Sequence, residues 1–310
     1  MARPSSPESA GNGPEVIVAG YASIDLAFQA SAPPVVGRTA RLTGPVIVPR
    51  RFGGCGPNAA RQLARLGCQI RLLTWLGDDA DGAAYLRDLA EDGVDTRGVT
   101  IARGSSSPRC YLFYDPLGGA TCYYHPSDSA QLCLTDATRA MLASARALAL
   151  TVAPAHLTEG LLDARPPGSG LAWNVKGDPA AYPPPLRRRL VREADVICLN
   201  RDELPFVASA LRSTPPENDD EALATLRGEG NAVVVVTAGA AGCTVVWPTG
   251  NGTVPGDPVA VHDSTGAGDT FFGAFVAGWL SGLDPVSSAR SASREVASLL
   301  RQRAAREDPS

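Results

Sequence analysis

The sequence predicts an α/β fold with a mostly parallel central sheet covered by helices. Two observations carry that expectation. Short β-rich runs at residues 15–20, 70–76, 147–151, 171–175, 195–199 and 232–237 recur along the chain, with amphipathic, helix-compatible stretches between most of them. Residues 233–236 form an uninterrupted apolar run, which suits a central strand with both faces buried. A chain of 310 residues, 44% hydrophobic and only 19% charged, has enough apolar surface to bury one large core.

Taken in order, residues 1–14 are rich in Pro, Ser and Gly and lack the apolar stretch of a secretory signal. They read as a disordered leader before a single domain spanning 15–310. Two segments then interrupt the strand and helix rhythm. Residues 38–49 and 108–125 are β-prone without an adjoining helix, and the second carries a turn signal at Asp115-Pro116-Leu117-Gly118-Gly119. They predict a small β-sheet lid, inserted through approximately 21–50 and 107–126, although an ordinary surface hairpin fits the same residues. The Pro-rich stretches 165–170 and 183–185 read as loops within the domain.

Composition narrows the function. A formal charge of −4 gives no broad attraction to nucleic acid or to an anionic membrane, which leaves a small molecule as the expected partner. The seven cysteines, Cys55, Cys68, Cys110, Cys122, Cys133, Cys198 and Cys243, are scattered and form no C-x-x-C pair, so they read as reduced thiols rather than zinc ligands. Nothing approaches the about 18 apolar residues of a membrane span, and a cytoplasmic location is expected.

The segment most suggestive of chemistry lies near the C-terminus. A short β-like run at 259–261, the flexible turn Thr265-Gly266-Ala267-Gly268 and an apolar, helix-compatible stretch from Asp269 to Leu280 predict a strand, a tight turn and a helix. At such a helix start, backbone N–H groups lacking intrahelical partners and the positive end of the helix dipole both favour an anion such as phosphate. Asp269 stands beside that site, where a carboxylate can take a proton from an attacking hydroxyl. For an isolated Gly-x-Gly-Asp a simple helix cap is the better account.

The full string Asp263-Ser264-Thr265-Gly266-Ala267-Gly268-Asp269-Thr270-Phe271 resembles the C-terminal signature of the ribokinase-like (PfkB) family of sugar and nucleoside kinases. Upstream, Gly53-Gly54-Cys55-Gly56-Pro57-Asn58-Ala59-Ala60, with Leu63-Ala64-Arg65-Leu66-Gly67 after it, is similar to the family's N-terminal signature. Asn200-Arg201-Asp202-Glu203 resembles its Asn-x-x-Glu motif, and Thr237-Ala238-Gly239-Ala240-Ala241-Gly242 its nucleotide loop.

The resemblance implies a Rossmann-like three-layer architecture and phosphoryl transfer from ATP, with magnesium (Mg2+) and possible use of a monovalent cation. It implies that Asp269 is the base, that Gly266, Ala267 and Gly268 form the anion hole, and that Asp25, Gly53, Gly54 and Asn58 line the acceptor pocket. Lys176, Asn200, Thr237, Gly239 and Gly242 then fall to ATP, as does Glu203, which also holds magnesium through water. A helix cap at Asn200, a hairpin at 237–242 and a surface role for Lys176 are the plainer alternatives. An exposed edge of the small sheet is a candidate homodimer surface.

The pattern departs from ribokinases proper in two places. Residues 149–154 lack the glutamate those enzymes place near their sugar, and Cys55 stands where they commonly carry a lysine. Ribose is therefore not singled out, and sugars and nucleosides stay open as acceptors. Arg109 is thin support for a phosphosugar acceptor of the phosphofructokinase type. A noncatalytic sensor on the same fold is the reading from another class.

Overall fold

The structure, a computed structural model, describes residues 15–33, 35–44, 49–116, 120–128, 132–212, 214, 216–230, 232–259 and 264–307. The chain opens with β1 (Val16–Ala19), β2 (Ser23–Gln29), β3 (Arg50–Gly53) and helix α1 (Cys55–Arg65). There follow β4 (Ile70–Leu73), β5 (Trp75–Gly77), α2 (Ala80–Glu91), β6 (Thr100–Ala102), β7 (Arg109–Tyr114) and β8 (Ala120–His125). Strand and helix then alternate through α3 (Asp136–Ala143), β9 (Ala147–Leu150), α4 (Ala155–Ala164), β10 (Gly170–Asn174), α5 (Pro184–Glu193) and β11 (Val196–Asn200). The remainder comprises α6 (Leu204–Ala208), α7 (Asp219–Glu229), β12 (Val233–Thr237), β13 (Cys243–Trp247), β14 (Gly250–Val254), α8 (Ala267–Leu280) and α9 (Pro285–Glu307).

Eight strands form the main sheet in the order β14-β13-β12-β11-β10-β9-β1-β4. From β4 to β12 every pairing is parallel, while the pairings β12–β13 and β13–β14 are antiparallel. Alternation along β1 explains the layers. Val16 and Val18 face a core built with Leu63 of α1 and Phe272 and Phe275 of α8. Ile17 and Ala19 face the opposite core, with Leu161, Leu190 and Leu226 of α4, α5 and α7. Burial of each large apolar side chain contributes about 1.5–3 kcal/mol, so the short β1, fully enclosed, is a strong anchor. The three-layer expectation holds.

A separate four-stranded sheet has the order β3-β2-β7-β8. Along β7, Cys110, Leu112 and Tyr114 are buried, and Arg109, Tyr111 and Phe113 only half so. On the outer side Phe28 stacks on Phe113 at 5.2 Å, and Tyr123 meets Phe113 edge-on at 6.0 Å.

Three local expectations change. Residues 38–44 hold only a single bridge, between Leu42 and Ala30, and the pairing strands are Ser23–Gln29 and Arg50–Gly53 instead. Asp25 sits inside the first of these strands, where Ile24, Leu26 and Phe28 alternate with its own face. The run 70–76 divides at Thr74, since β5 leaves the main sheet to pair with β6. Of the β-like run 259–261, Val259 is in a loop, and 260 and 261 lie outside the described residues, as does Asp263. No helix among the described residues is long and apolar enough to cross a membrane.

Candidate active site

The C-terminal ends of β10, β11 and β12 open onto a cavity of about 850 Å3, the position where open parallel sheets receive ligands. Asp25, Gly54, Asn58, Lys176, Asn200, Thr237, Gly239, Gly242, Gly266, Ala267, Gly268 and Asp269 all line it. Twelve positions dispersed over 245 residues of sequence are thereby brought around one space. Gly53 and Glu203 do not line it.

Asp269 occupies the first turn of α8 and is only 4% exposed. Its Oδ2 accepts a hydrogen bond from Asn58 Nδ2 at 3.1 Å and its Oδ1 one from Asn174 Nδ2 at 3.1 Å. Two amides, one from α1 and one from the end of β10, thus fix the plane of a buried carboxylate. Asn174 is absent from the sequence-predicted set. The signal was its position as a polar residue closing an otherwise apolar strand, buried at 6% exposure.

Gly266 caps α8 in the left-handed region, at φ 73°, and contributes no side-chain acceptor to the helix start. Ala267 N–H closes the turn onto the Ser264 carbonyl at 3.0 Å. A side chain at Gly268 would project into open space. The N-terminus of a 14-residue helix therefore faces the cavity with no side-chain cap at Gly266, and with Asp269 as the acidic residue of its first turn.

Lys176 follows β10 and lies beside Cys55, Asp269 and Glu203. Cys55 and then Asp269 hold its ammonium above the usual lysine range. Burial pushes the Cys55 thiol itself far up, which leaves Asp269 and then Glu203 as the carboxyl neighbours of Lys176.

Asn200 and Glu203 form a reciprocal cap. Glu203 N–H donates to Asn200 Oδ1 at 2.9 Å, and Asn200 N–H donates to Glu203 Oε2 at 2.9 Å. Glu203 is held above the usual carboxylate range by burial, opposed by that backbone donor. The plainer reading of Asn200 as a cap is therefore realised, and its exposed side still meets the cavity. Likewise 237–242 joins β12 to β13 as a hairpin and borders the cavity as well.

The opposite wall belongs to the small sheet. Asp25, 7% exposed, accepts from the Ser23 hydroxyl, and a Cβ at Gly53 would overlap its carboxylate. Cys110, Leu112, Cys122 and Tyr124 face the same space. Tyr21, packed 4.5 Å from Tyr124, has its hydroxyl pKa pushed up to about 12 by burial and then by Asp178. Of the aromatic residues on β7 and β8, Tyr124 meets the cavity, Tyr114 hydrogen bonds Thr265, and Phe113 and Tyr123 pack on the outer face. Arg109 pairs with buried Asp81 at 2.8 Å and does not line the cavity. Among the described lining residues Lys176 is the one basic side chain.

A helix start that opens onto the cavity, a buried carboxylate beside it and a second wall supplied by a small sheet suit a small-molecule kinase on a ribokinase-type fold. The chain belongs to the pfkB family of carbohydrate kinases, whose profile matches residues 15–309. A ribokinase of Mus musculus is 27% identical over 265 residues, covering 84% of this chain and 80% of that protein. An ATP-dependent ribose-1-phosphate kinase of Halopiger xanaduensis is 29% identical over 238 residues, covering 74% and 73%. Among solved structures, a ribokinase from Cryptococcus neoformans in complex with ADP superposes with a TM-score of 0.76 at 24% identity, covering 94% of this chain and all of that one.

Proposed function

We propose that the protein transfers the γ-phosphoryl group of ATP to a hydroxyl of a small sugar or nucleoside, with Asp269 as general base. The observation that carries this reading is the Asp269 carboxylate, buried at the anion-binding turn and oriented by Asn58 and Asn174. The acceptor hydroxyl gives its proton to Asp269 as its oxygen attacks the phosphorus. The Gly266 and Gly268 amides meet the charge that develops on the transferring group, while the Ala267 N–H, expected to join them, is committed to the Ser264 carbonyl and closes the turn. Most of the rate then comes from positioning and electrostatics.

Asp25 is the acceptor's carboxylate partner, suited to a polyol because it accepts from hydroxyl donors. Gly54 and Asn58 complete that side, and Gly53 leaves the volume that Asp25 occupies. Lys176 offsets phosphate charge on the donor side, next to Asn200, Thr237, Gly239 and Gly242. Magnesium, bound with ATP, neutralises phosphate charge. The oxygen-bearing pair Asn200 and Glu203 fits an ion that keeps its water shell, and no group of three acidic, His or Cys side chains among the described residues forms a cage for it. The small sheet acts as the lid, and its edge strands β3 and β8 offer a homodimer surface, testable by sedimentation at several concentrations.

The commitment of Arg109 to Asp81 leaves the phosphosugar reading without its basic residue. The deciding assay is ATP turnover with magnesium over free sugars, nucleosides and sugar phosphates, for the parent protein and Asp269→Asn. Acceptor-dependent turnover that the substitution abolishes is the expected result. Equal turnover in both would remove Asp269 from the mechanism.

A further inference from the structure

The anion-binding turn is a partition between two cavities. In front lies the large cavity just described; behind lies a smaller one of about 270 Å3 that shares Asn58 and Gly266 with it. Arg303, from the last turns of α9, lines only the rear cavity. Its Nη1 donates to the Thr265 carbonyl at 2.6 Å, and its Nη2 lies 4.0 Å from where a Gly266 Cβ would be.

The Thr265 carbonyl and the Gly266 N–H belong to one planar peptide unit. A cation drawn up to the oxygen end of that unit pulls electron density from the nitrogen end and makes the N–H a stronger donor, as in any chain of hydrogen bonds in a low-dielectric site. The guanidinium carries its charge at every working pH and is planar, so it can hold this position without a metal's coordination demands. Tyr114 of the small sheet hydrogen bonds the Thr265 hydroxyl, which fixes the same residue from the other side. Thr265 is thus held by both its side chain and its carbonyl.

We propose that Arg303 is a positioning residue that charges the anion hole from behind, polarising the Thr265–Gly266 peptide toward the transferring phosphoryl group. It supplies at this carbonyl the fixed positive charge that a bound monovalent cation would otherwise bring, so turnover does not depend on potassium. The inference rests on the reading of Gly266 to Gly268 as the anion site.

Arg303→Gln keeps a hydrogen-bond donor and removes the charge, Arg303→Lys keeps the charge, and Arg303→Ala opens the space. For the parent, turnover is expected to be the same in potassium and tetramethylammonium salts at equal ionic strength. Arg303→Gln is expected to lower kcat about tenfold with KM for ATP little changed, less than the loss of a direct oxyanion donor. Arg303→Lys retains most of kcat, and added guanidinium or potassium restores Arg303→Ala. A merely structural tether would instead give a lower unfolding midpoint and no rescue by either cation, and that result overturns the proposal. So does an unchanged kcat in Arg303→Gln, or a parent enzyme that requires potassium. Binding of inorganic phosphate by calorimetry gives a readout that needs no acceptor: it should weaken several-fold in Arg303→Gln, and equal affinity overturns the inference. Failure of the kinase reading shows differently, as a parent with no ATP turnover on any acceptor.

Discussion

The two sheets are held together in different ways. The main sheet gains its order from strands mostly enclosed on both faces, with helices following β9, β10 and β11 and covering it, so pairing and burial reinforce one another. The small sheet joins segments far apart in sequence, with β2 parallel to β7, and only one of its faces is buried. Core stability therefore resides in the first sheet, and the second supplies one wall of the cavity.

The largest expected effect tests the point where both regions meet the reacting groups. Asp269→Asn should lower kcat by about 10²–10⁴, the usual contribution of general-base catalysis, with the far-ultraviolet spectrum and unfolding midpoint preserved. Steady-state kinetics and circular dichroism decide it. Removing the clamp should cost less: Asn174→Ala is expected to reduce kcat about tenfold, since it leaves the base present and only unorients it.

The contrast in stability comes next. Phe272→Ala, in the fully enclosed core of α8, should destabilise by about 3–5 kcal/mol, while Leu112→Ala on the small sheet should cost nearer the about 2 kcal/mol lower end of such truncations and raise KM for the acceptor. Denaturant unfolding alongside kinetics measures both. If Leu112→Ala proved the more destabilising, the small sheet would belong to the folding core.

The smallest effects are ionisation shifts. Lys176 has its pKa raised on folding, so the stability it contributes is fully present below the ordinary lysine value and is lost as pH rises through the raised one. Lys176→Met should therefore flatten the alkaline limb of the stability curve. In the cavity wall, Cys110 and Cys122 have sulfurs 3.0 Å apart, and the Cys110 thiol, donating to Cys122, holds the Cys122 pKa below the usual thiol range. Cys122 is expected to react first with iodoacetamide as pH rises, ahead of buried Cys55 and Cys198, and Cys110→Ala should move that reaction to higher pH.

The same contrast explains what could be read from the residues alone. The apolar runs of β1, β9, β10, β11 and β12 announced the main sheet because both of their faces are buried. The strand that carries Asp25 was not legible in itself, since a half-buried strand shows only alternation and its partners at Arg51 and Cys110 are remote. Motif residues such as Gly266 and Asp269 were legible because a local turn and helix start carry their own pattern. Asn174 and Arg303 were not. Their significance lies in what they touch, Asp269 and the Thr265 carbonyl, and neither contact leaves a trace at short spacing in the chain.

The fit of Gly53 against Asp25 has a consequence for how this pocket can change. Because the carboxylate fills the volume that any larger residue at 53 would need, the two positions are sterically linked. On the proposed role of Asp25 as the acceptor's carboxylate partner, a variant selected for an acceptor without the matching hydroxyls can exchange Asp25 for a smaller residue, and only then does position 53 become free to vary. In a population of evolving sequences the pair should turn over in that order, the acid first and the glycine after it.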